Sequence, residues 1–341
     1  MLILRTLLLA AVAGSLCQWL GVPLPWMLGP LLLTASLRLA GYNLQAPPFG
    51  RQIGQWLIGI TLGLYFSPSV VAELVHFAPL LVIGAVFSLL MGGACGWLLQ
   101  RLTGVDGATA LFASMPGGAT EMAVLGMRHG ARVDFIAAAH SLRIALVVLS
   151  IPALVTILDA HGSAPYTPVF YQFDPLGLLA LLAITALAGL LLQKLHWPNA
   201  WMLGALAVTA ALALTGTIWS ALPNEFSQLG QLLLGTALGV RFAPDFLQRA
   251  PRFMLGVVLS VVFSLLLCAV FAWLMANWFA AHPASLLLAA APGGIAEMSI
   301  TAQALALGVP LVTAYHIFRL IVVLTCTEPL WRLFKRSPGS T

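Results

Sequence analysis

Apolar runs follow one another from end to end of the chain, separated by short clusters of proline, glycine and single charges. Twelve runs stand out, in two sets of six. The first set covers about 3–20, 24–40, 52–66, 77–100, 107–128 and 133–157; the second covers about 175–193, 199–219, 228–242, 252–279, 284–307 and 310–331. Most have the length of a helix that crosses about 30 Å of hydrocarbon, roughly 20 residues. The third run of each set is short and reaches across only if its flanks contribute. The pattern predicts an all-α polytopic membrane protein.

The two sets are copies of one another. Pro116-Gly117-Gly118 recurs 176 residues later as Pro292-Gly293-Gly294. The same offset carries His140 to His316 and Arg143 to Arg319, and Gln52, Gly54, Gln55, Gly59, Gly63 and Pro68 to Gln228, Gly230, Gln231, Gly235, Gly239 and Pro244. At an offset of 175, Ala13-Gly14, Gln18, Pro23 and Trp26-Met27-Leu28-Gly29 map to Ala188-Gly189, Gln193, Pro198 and Trp201-Met202-Leu203-Gly204. Collinear matches of this kind mark a tandem duplication. The repeats are read as 1–160 and 175–341, with 161–174 as a linker. Met1 to Leu20 has signal-peptide features in Arg5, a leucine run and Ala11-Val12-Ala13. Its counterpart in the second repeat is internal, so it is read as a span.

The fifth run of each repeat is interrupted. Proline has no N–H to donate and Gly-Gly admits φ > 0, so a continuous helix is not expected through Met115-Pro116-Gly117-Gly118 or Ala291-Pro292-Gly293-Gly294. Arms of roughly ten residues rise about 15 Å each, half the hydrocarbon thickness. The positive charges demand the same break. Arg38, Arg51, Arg101, Arg128 and Arg132 punctuate the first repeat; Lys194, Arg241, Arg249, Arg252, Arg332, Lys335 and Arg336 punctuate the second. They all fall on the cytoplasmic side only if the fifth run enters and leaves by one face. The expectation is therefore two inverted repeats, each of five transmembrane helices and one re-entrant hairpin. That gives ten spans with both termini cytoplasmic, in a bacterial inner membrane. Broken helices meeting near the midplane are a transporter signature.

Composition sharpens this reading and excludes others. Of the 341 residues, 61% are hydrophobic and 7% charged, against about 25% charged in a soluble domain. The net charge of +5 comes mostly from residues near run ends, not from a basic stripe, so no nucleic-acid partner is expected. Cys17, Cys95, Cys268 and Cys326 stand singly in apolar runs, which gives neither a disulfide framework nor a metal or cofactor site.

Few residues are left to carry chemistry. Gly117-Gly118 and Gly293-Gly294, with Pro116 and Pro292, offer either a backbone nest for an anion at the second arm's N-terminus or merely a tight turn. Glu121 and Glu297 are either carriers of a proton or coupling cation or first-turn glutamates that stabilise their helices. Arg143 and Arg319 are costly deep in a span. They bind a substrate oxyanion or pair with Glu121 and Glu297. His140 and His316 lie one turn before the arginines on the same face, as proton relays or packed hydrogen-bonding groups. Gln55 and Gln231 are weak candidates for lining a pathway, and the neighbouring Gly59/Gly63 and Gly235/Gly239 are read as helix-packing positions. Trp26 and Trp201 are read as interfacial anchors. Asp106 and His282 are read as solvated starts of the hairpins.

The duplicated Pro-Gly-Gly-x-x-Glu-Met motif, the His-x-x-Arg that follows and the Trp-Met-Leu-Gly blocks resemble the bacterial integral-membrane AbrB family over essentially the whole chain. That resemblance implies a label, regulator of gene expression or ammonia monooxygenase, but no mechanism. The hairpin architecture is similar to elevator-type anion carriers, which by analogy implies a homodimer. Three functions are weighed: a secondary transporter for a small organic anion between the hairpin tips, a membrane-embedded regulator or sensor, and a membrane monooxygenase. The last needs clustered metal ligands, whereas the seven histidines are scattered. The expectation is a non-enzymatic transporter.

Overall fold

A computed structural model describes residues 1–160, 162, 172–242 and 250–336. Most of the linker expected at 161–174, with Pro244 and Arg249, lies outside the described residues, as do the side chains of Lys335 and Arg336. Among the described residues there are fifteen helices and no strand. In the first repeat they are α1 Leu2–Trp19, α2 Pro25–Leu39, α3 Gly50–Gly63, α4 Pro68–His76, α5 Ala78–Thr103, α6 Gly107–Ser114, α7 Ala119–Arg128 and α8 Val133–Ile157. In the second they are α9 Pro175–Lys194, α10 Ala200–Thr215, α11 Asn224–Gly239, α12 Pro251–Phe279, α13 Pro283–Ala290, α14 Ile295–Ala304 and α15 Val309–Arg336.

Among the described residues six helices are long and apolar enough to cross a membrane: α1, α5, α8, α9, α12 and α15 up to Arg332. The lipid-facing side is visible on α1, where Leu4, Leu8, Val12 and Leu16 form an exposed stripe at i,i+4 spacing. In water such a stripe would be a liability; hydrocarbon covers it without cost. The third run of the first repeat is not a simple span. α3 and α4 meet at a 90° bend, and the C-terminal half of α3 is enclosed by protein, with Leu57, Ile58, Ile60 and Leu62 at most 2% exposed.

The helices group into two compact units, each drawing on both repeats. Unit 1 is Met1–His76, Ile151–Asp245 and Ala296–Pro310; unit 2 is Phe77–Ser150, Phe246–Ile295 and Leu311–Thr341. In unit 1, α1 packs on α2 and α9 on α10, while the repeats interlock by α2 on α11 and α3 on α10. In unit 2, α5 packs on α12, and each of these also packs on the first arm of its own repeat's broken run, α6 or α13.

The repeated small residues explain unit 1. A Cβ on Gly29 would stand 2.5 Å from the Ala13 carbonyl, and one on Gly204 would stand 2.7 Å from the Ala188 carbonyl carbon. The α1–α2 and α9–α10 pairs therefore cross backbone to backbone. Gly59 and Gly63 meet Met202 and Thr209 of α10, and Gly235 and Gly239 meet Met27 and Thr34 of α2. Without a hydrophobic force between helices in lipid, this close approach supplies the adhesion. The anchor tryptophans have a more specific role than expected. Trp26 Nε1 donates to Gln18 Oε1 at 2.9 Å, and Trp201 Nε1 to Gln193 Oε1 at 2.7 Å, tying each helix pair across its loop.

Candidate functional site

Both fifth runs are broken as the sequence requires. α6 and α13 are eight residues long, α7 and α14 ten, so each arm rises about 12–15 Å. Asp106 Oδ1 accepts from the Thr109 N–H at 2.8 Å, and His282 Nδ1 from the Ala284 N–H at 3.3 Å. The exposed residues read as solvated hairpin starts thus cap the arms. At the first tip the chain turns without left-handed residues. Met115 and Gly118 have φ of −60° and −66°, and none of the four tip glycines has positive φ. At the first tip, side chains fill the space beside the glycines instead. A Cβ on Gly117 would stand 2.7 Å from Met122 Cε, and one on Gly118 would collide with the Glu121 carboxylate. That carboxylate folds back over the N-terminus of α7, where an anion is favoured. The Gly117 N–H is engaged within the turn, donating to the Met115 carbonyl at 2.8 Å.

The arginines converge on the carbonyl end of the first arm. Arg143 Nη1 donates to the carbonyls of Ala113, Ser114 and Met115 at 3.5, 3.2 and 2.9 Å. Arg319 Nη1 donates to Ala290 and Ala291 at 3.4 and 2.7 Å, and its Nη2 to Gly293 at 3.1 Å. These are the orphan carbonyls of α6, α13 and their tips, and a cation there also faces the negative end of the helix dipole.

The histidines orient the arginines. His140 Nε2 lies 3.0 Å from the Phe112 carbonyl and Nδ1 lies 3.1 Å from Arg143 Nη2. His316 repeats this with the Leu288 carbonyl at 3.0 Å and Arg319 Nη2 at 2.8 Å. A carbonyl only accepts and a guanidinium only donates, so Nε2 carries the proton and Nδ1 is bare in both rings. Both ring nitrogens are engaged, and a second proton would face the guanidinium.

All four side chains are buried: His140 and His316 0%, Arg143 6% and Arg319 3% exposed. Among the described residues no carboxylate pairs with Arg143 or Arg319, so the expected alternative of ion pairs with Glu121 and Glu297 is not what the structure adopts. Nε of each arginine is buried and without a hydrogen bond. A cavity of about 20 Å³, room for about one water, is lined by Arg143, Ser114, Cys95, Ser260, Ser264 and Pro292 among others. The end of α6 and Pro292 of the second tip therefore share a lining within unit 2. Glu121 and Glu297 sit half-buried in the first turns of α7 and α14. Gln55 Nε2 donates to Asn199 Oδ1 at 3.0 Å, while Gln231 lines a separate cleft in unit 1.

Sequence reasoning passed over the residues beneath the tips. A Cβ on Gly92 of α5 would stand 2.6 Å from Met115 Sδ and 3.1 Å from Pro116 Cδ. Cys268 of α12, the corresponding position 176 residues on, reaches the Ala290 carbonyl at 3.3 Å. One is glycine and the other cysteine, so the repeat alignment gave no identity to notice.

Apolar helices of spanning length, with short broken helices and buried guanidiniums among them, define a helical multi-pass membrane protein. Residues 26–335 match the family described as "Transition state regulatory protein AbrB", and the chain belongs to that family. It is 26% identical over 360 aligned residues to "Uncharacterized protein YhjN" of Bacillus subtilis (strain 168), covering 97% of this chain and 92% of that one. It is also 26% identical over 305 residues to "Putative regulator AbrB" of Escherichia coli (strain K12), covering 89% and 88%.

Proposed function

We propose that this AbrB-family protein is a secondary transporter for a small organic anion, held at the two Pro-Gly-Gly tips. The observation that carries the reading is the pair of buried guanidiniums, 6% and 3% exposed, each with an unbonded Nε and no carboxylate partner among the described residues. Buried charges are normally paired. Helix C-termini supply only about half a negative charge each, so two arginines leave positive charge for a ligand to neutralise. In this reading Arg143 and Arg319 hold the tips and attract the solute, and His140 and His316 keep the guanidiniums in place. Glu121 and Glu297 occupy the anion position at their own helix N-termini and handle the coupled proton or cation. The hairpins enter from opposite faces of inverted repeats, with ten spans and both termini cytoplasmic in the bacterial inner membrane. The protein acts without a cofactor and is not an enzyme; its partners are the bilayer, the solute and a second copy of itself.

The test is uptake by purified protein in proteoliposomes under an imposed proton or sodium gradient, with a panel of mono-, di- and tricarboxylates. Gradient-driven uptake of at least one, lost in Arg319→Ala, supports the reading. No flux and no thermal stabilisation by any member overturns it.

The name of the Escherichia coli relative favours a second reading, a regulator whose output is gene expression. Glu121→Gln separates the two. If this variant, no longer able to accumulate solute, still restores a deletion strain's expression pattern, the regulatory reading stands.

A further inference from the structure

Unit 1 holds a cleft of about 300 Å³ that the tips do not use. It is lined by Gln18, Asn224, Ser227, Gln228, Gln231 and Gln303, beside Trp26, Leu24, Pro25, Ile300 and Ala304. Five carboxamides and a hydroxyl face it, and no lining residue is charged. Of the five amides only Gln18 has a side-chain partner, the indole N–H of Trp26. Among the described residues Asn224, Gln228, Gln231 and Gln303 make no side-chain hydrogen bond to protein. Gln18 and Asn224 are exposed and Gln228, Gln231 and Gln303 half-buried, so the cleft is open to solvent and presents free amides in a concave space of ligand size.

The internal repeat supplies the control. Gln55 occupies in the first repeat the place of Gln231 in the second, and Asn199 occupies in the second the place of Leu24 in the first. Leu24 and Asn199 share the left-handed conformation at φ 54° and 48° that starts α2 and α10. Asn199 satisfies Gln55. Leu24, with an apolar side chain, leaves Gln231 free toward the cleft. Ile300 and Ala304 of the lining lie one and two turns after Glu297 on the same face of α14, so the cleft opens along the helix that carries that carboxylate.

The geometry points to a binding site here for an uncharged, hydrogen-bonding solute, or the uncharged end of one, such as a polyol or amide. Carboxamides both donate and accept, which suits hydroxyl and amide groups, while a bare ion would find no counter-charge. This goes beyond the anion reading and rests on it only in regarding the occupant as the transported solute.

The test needs no transport. Gln303→Cys is made in a Cys17→Ser, Cys326→Ser background and labelled with N-ethylmaleimide, with Ala205→Cys as a buried control. Labelling is expected to be fast at position 303, slow at 205, and slowed at 303 by at least one of glycerol, ribitol, glucose and acetamide. Adding Gln231→Leu weakens that protection by roughly 5–10-fold, the loss of one or two hydrogen bonds. Labelling as slow as at 205, or no protection by any of the four, overturns the site. Protection in phosphatidylethanolamine vesicles but not in detergent assigns it to a lipid headgroup and also overturns it. Anion flux can fail while this protection holds, so the two readings fail separately.

Discussion

The two broken runs are built to one plan but held differently. Arg143 places one nitrogen, Nη1, against three successive carbonyls of the first hairpin, and its Nη2 meets only His140 among the described residues. Arg319 spreads both nitrogens, Nη1 to Ala290 and Ala291 and Nη2 past the proline to Gly293. The first guanidinium caps an arm; the second also grips the turn. A point source of donors suffices for the first task, whereas the second needs a planar fork. Identity at the level of the motif therefore hides a division of labour.

Lysine substitutions break that comparison most sharply. An ammonium at 143 can still meet neighbouring carbonyls, but one at 319 cannot bridge Ala291 and Gly293. Arg319→Lys is expected to lower anion uptake by about 10–100-fold, the loss of one charge-assisted hydrogen bond. Arg143→Lys is expected to retain most of it. Equal losses, measured as initial rates in proteoliposomes, would show that the fork at 319 has no special role. The glutamates come next. Glu121→Gln and Glu297→Gln are each expected to preserve solute exchange across equal gradients while abolishing accumulation driven by the coupling ion. Exchange lost as fully as accumulation would place these carboxylates in solute binding or folding.

The duplication, the breaks and the residues around them were legible in the sequence, because proline, glycine and isolated charges in apolar runs have few explanations. The identity of the acceptors was not. The side chains of Glu121 and Arg143 invite pairing on charge alone, yet the arginine turns to carbonyls of Ala113, Ser114 and Met115 that no side-chain pattern reports. Nor was the use of the tip glycines legible. Gly118 makes room for the carboxylate of Glu121 and has ordinary negative φ, a choice that sequence cannot distinguish from a left-handed turn. The two compact units were hidden too. They mix helices of both repeats, and repeat boundaries carry no record of which helices interlock.

The histidines sharpen the same contrast with a smaller effect. Arg143 Nη2 depends on His140, whereas Arg319 Nη2 also holds Gly293. His140→Phe is expected to destabilise by about 1–3 kcal/mol, the cost of leaving a buried donor without its acceptor. His316→Phe is expected to cost less, and His140→Gln, which restores an acceptor, should recover part of the loss. Thermal unfolding in detergent orders the three. If His316→Phe is the worse variant, the Gly293 contact does not support the second guanidinium.

The smallest expected effects lie beneath the tips, where Gly92 and Cys268 occupy corresponding places. At the first hairpin α5 approaches so closely that a Cβ would stand 3.1 Å from Pro116 Cδ; at the second a thiol fits 3.3 Å from the Ala290 carbonyl. Gly92→Ala should destabilise by about 1 kcal/mol or slightly more, since Met115 Sδ can yield and the proline ring cannot. Cys268→Gly should cost a similar amount by opening a void and adding chain entropy. Gly93→Ala separates crowding from helix propensity. A Cβ there meets nothing within 4 Å, so it is expected to stabilise by about 0.5–1 kcal/mol. If Gly92→Ala and Gly93→Ala shift the unfolding midpoint alike, the close approach of α5 does not help set the first tip, and the asymmetry between the hairpins rests on the arginines alone.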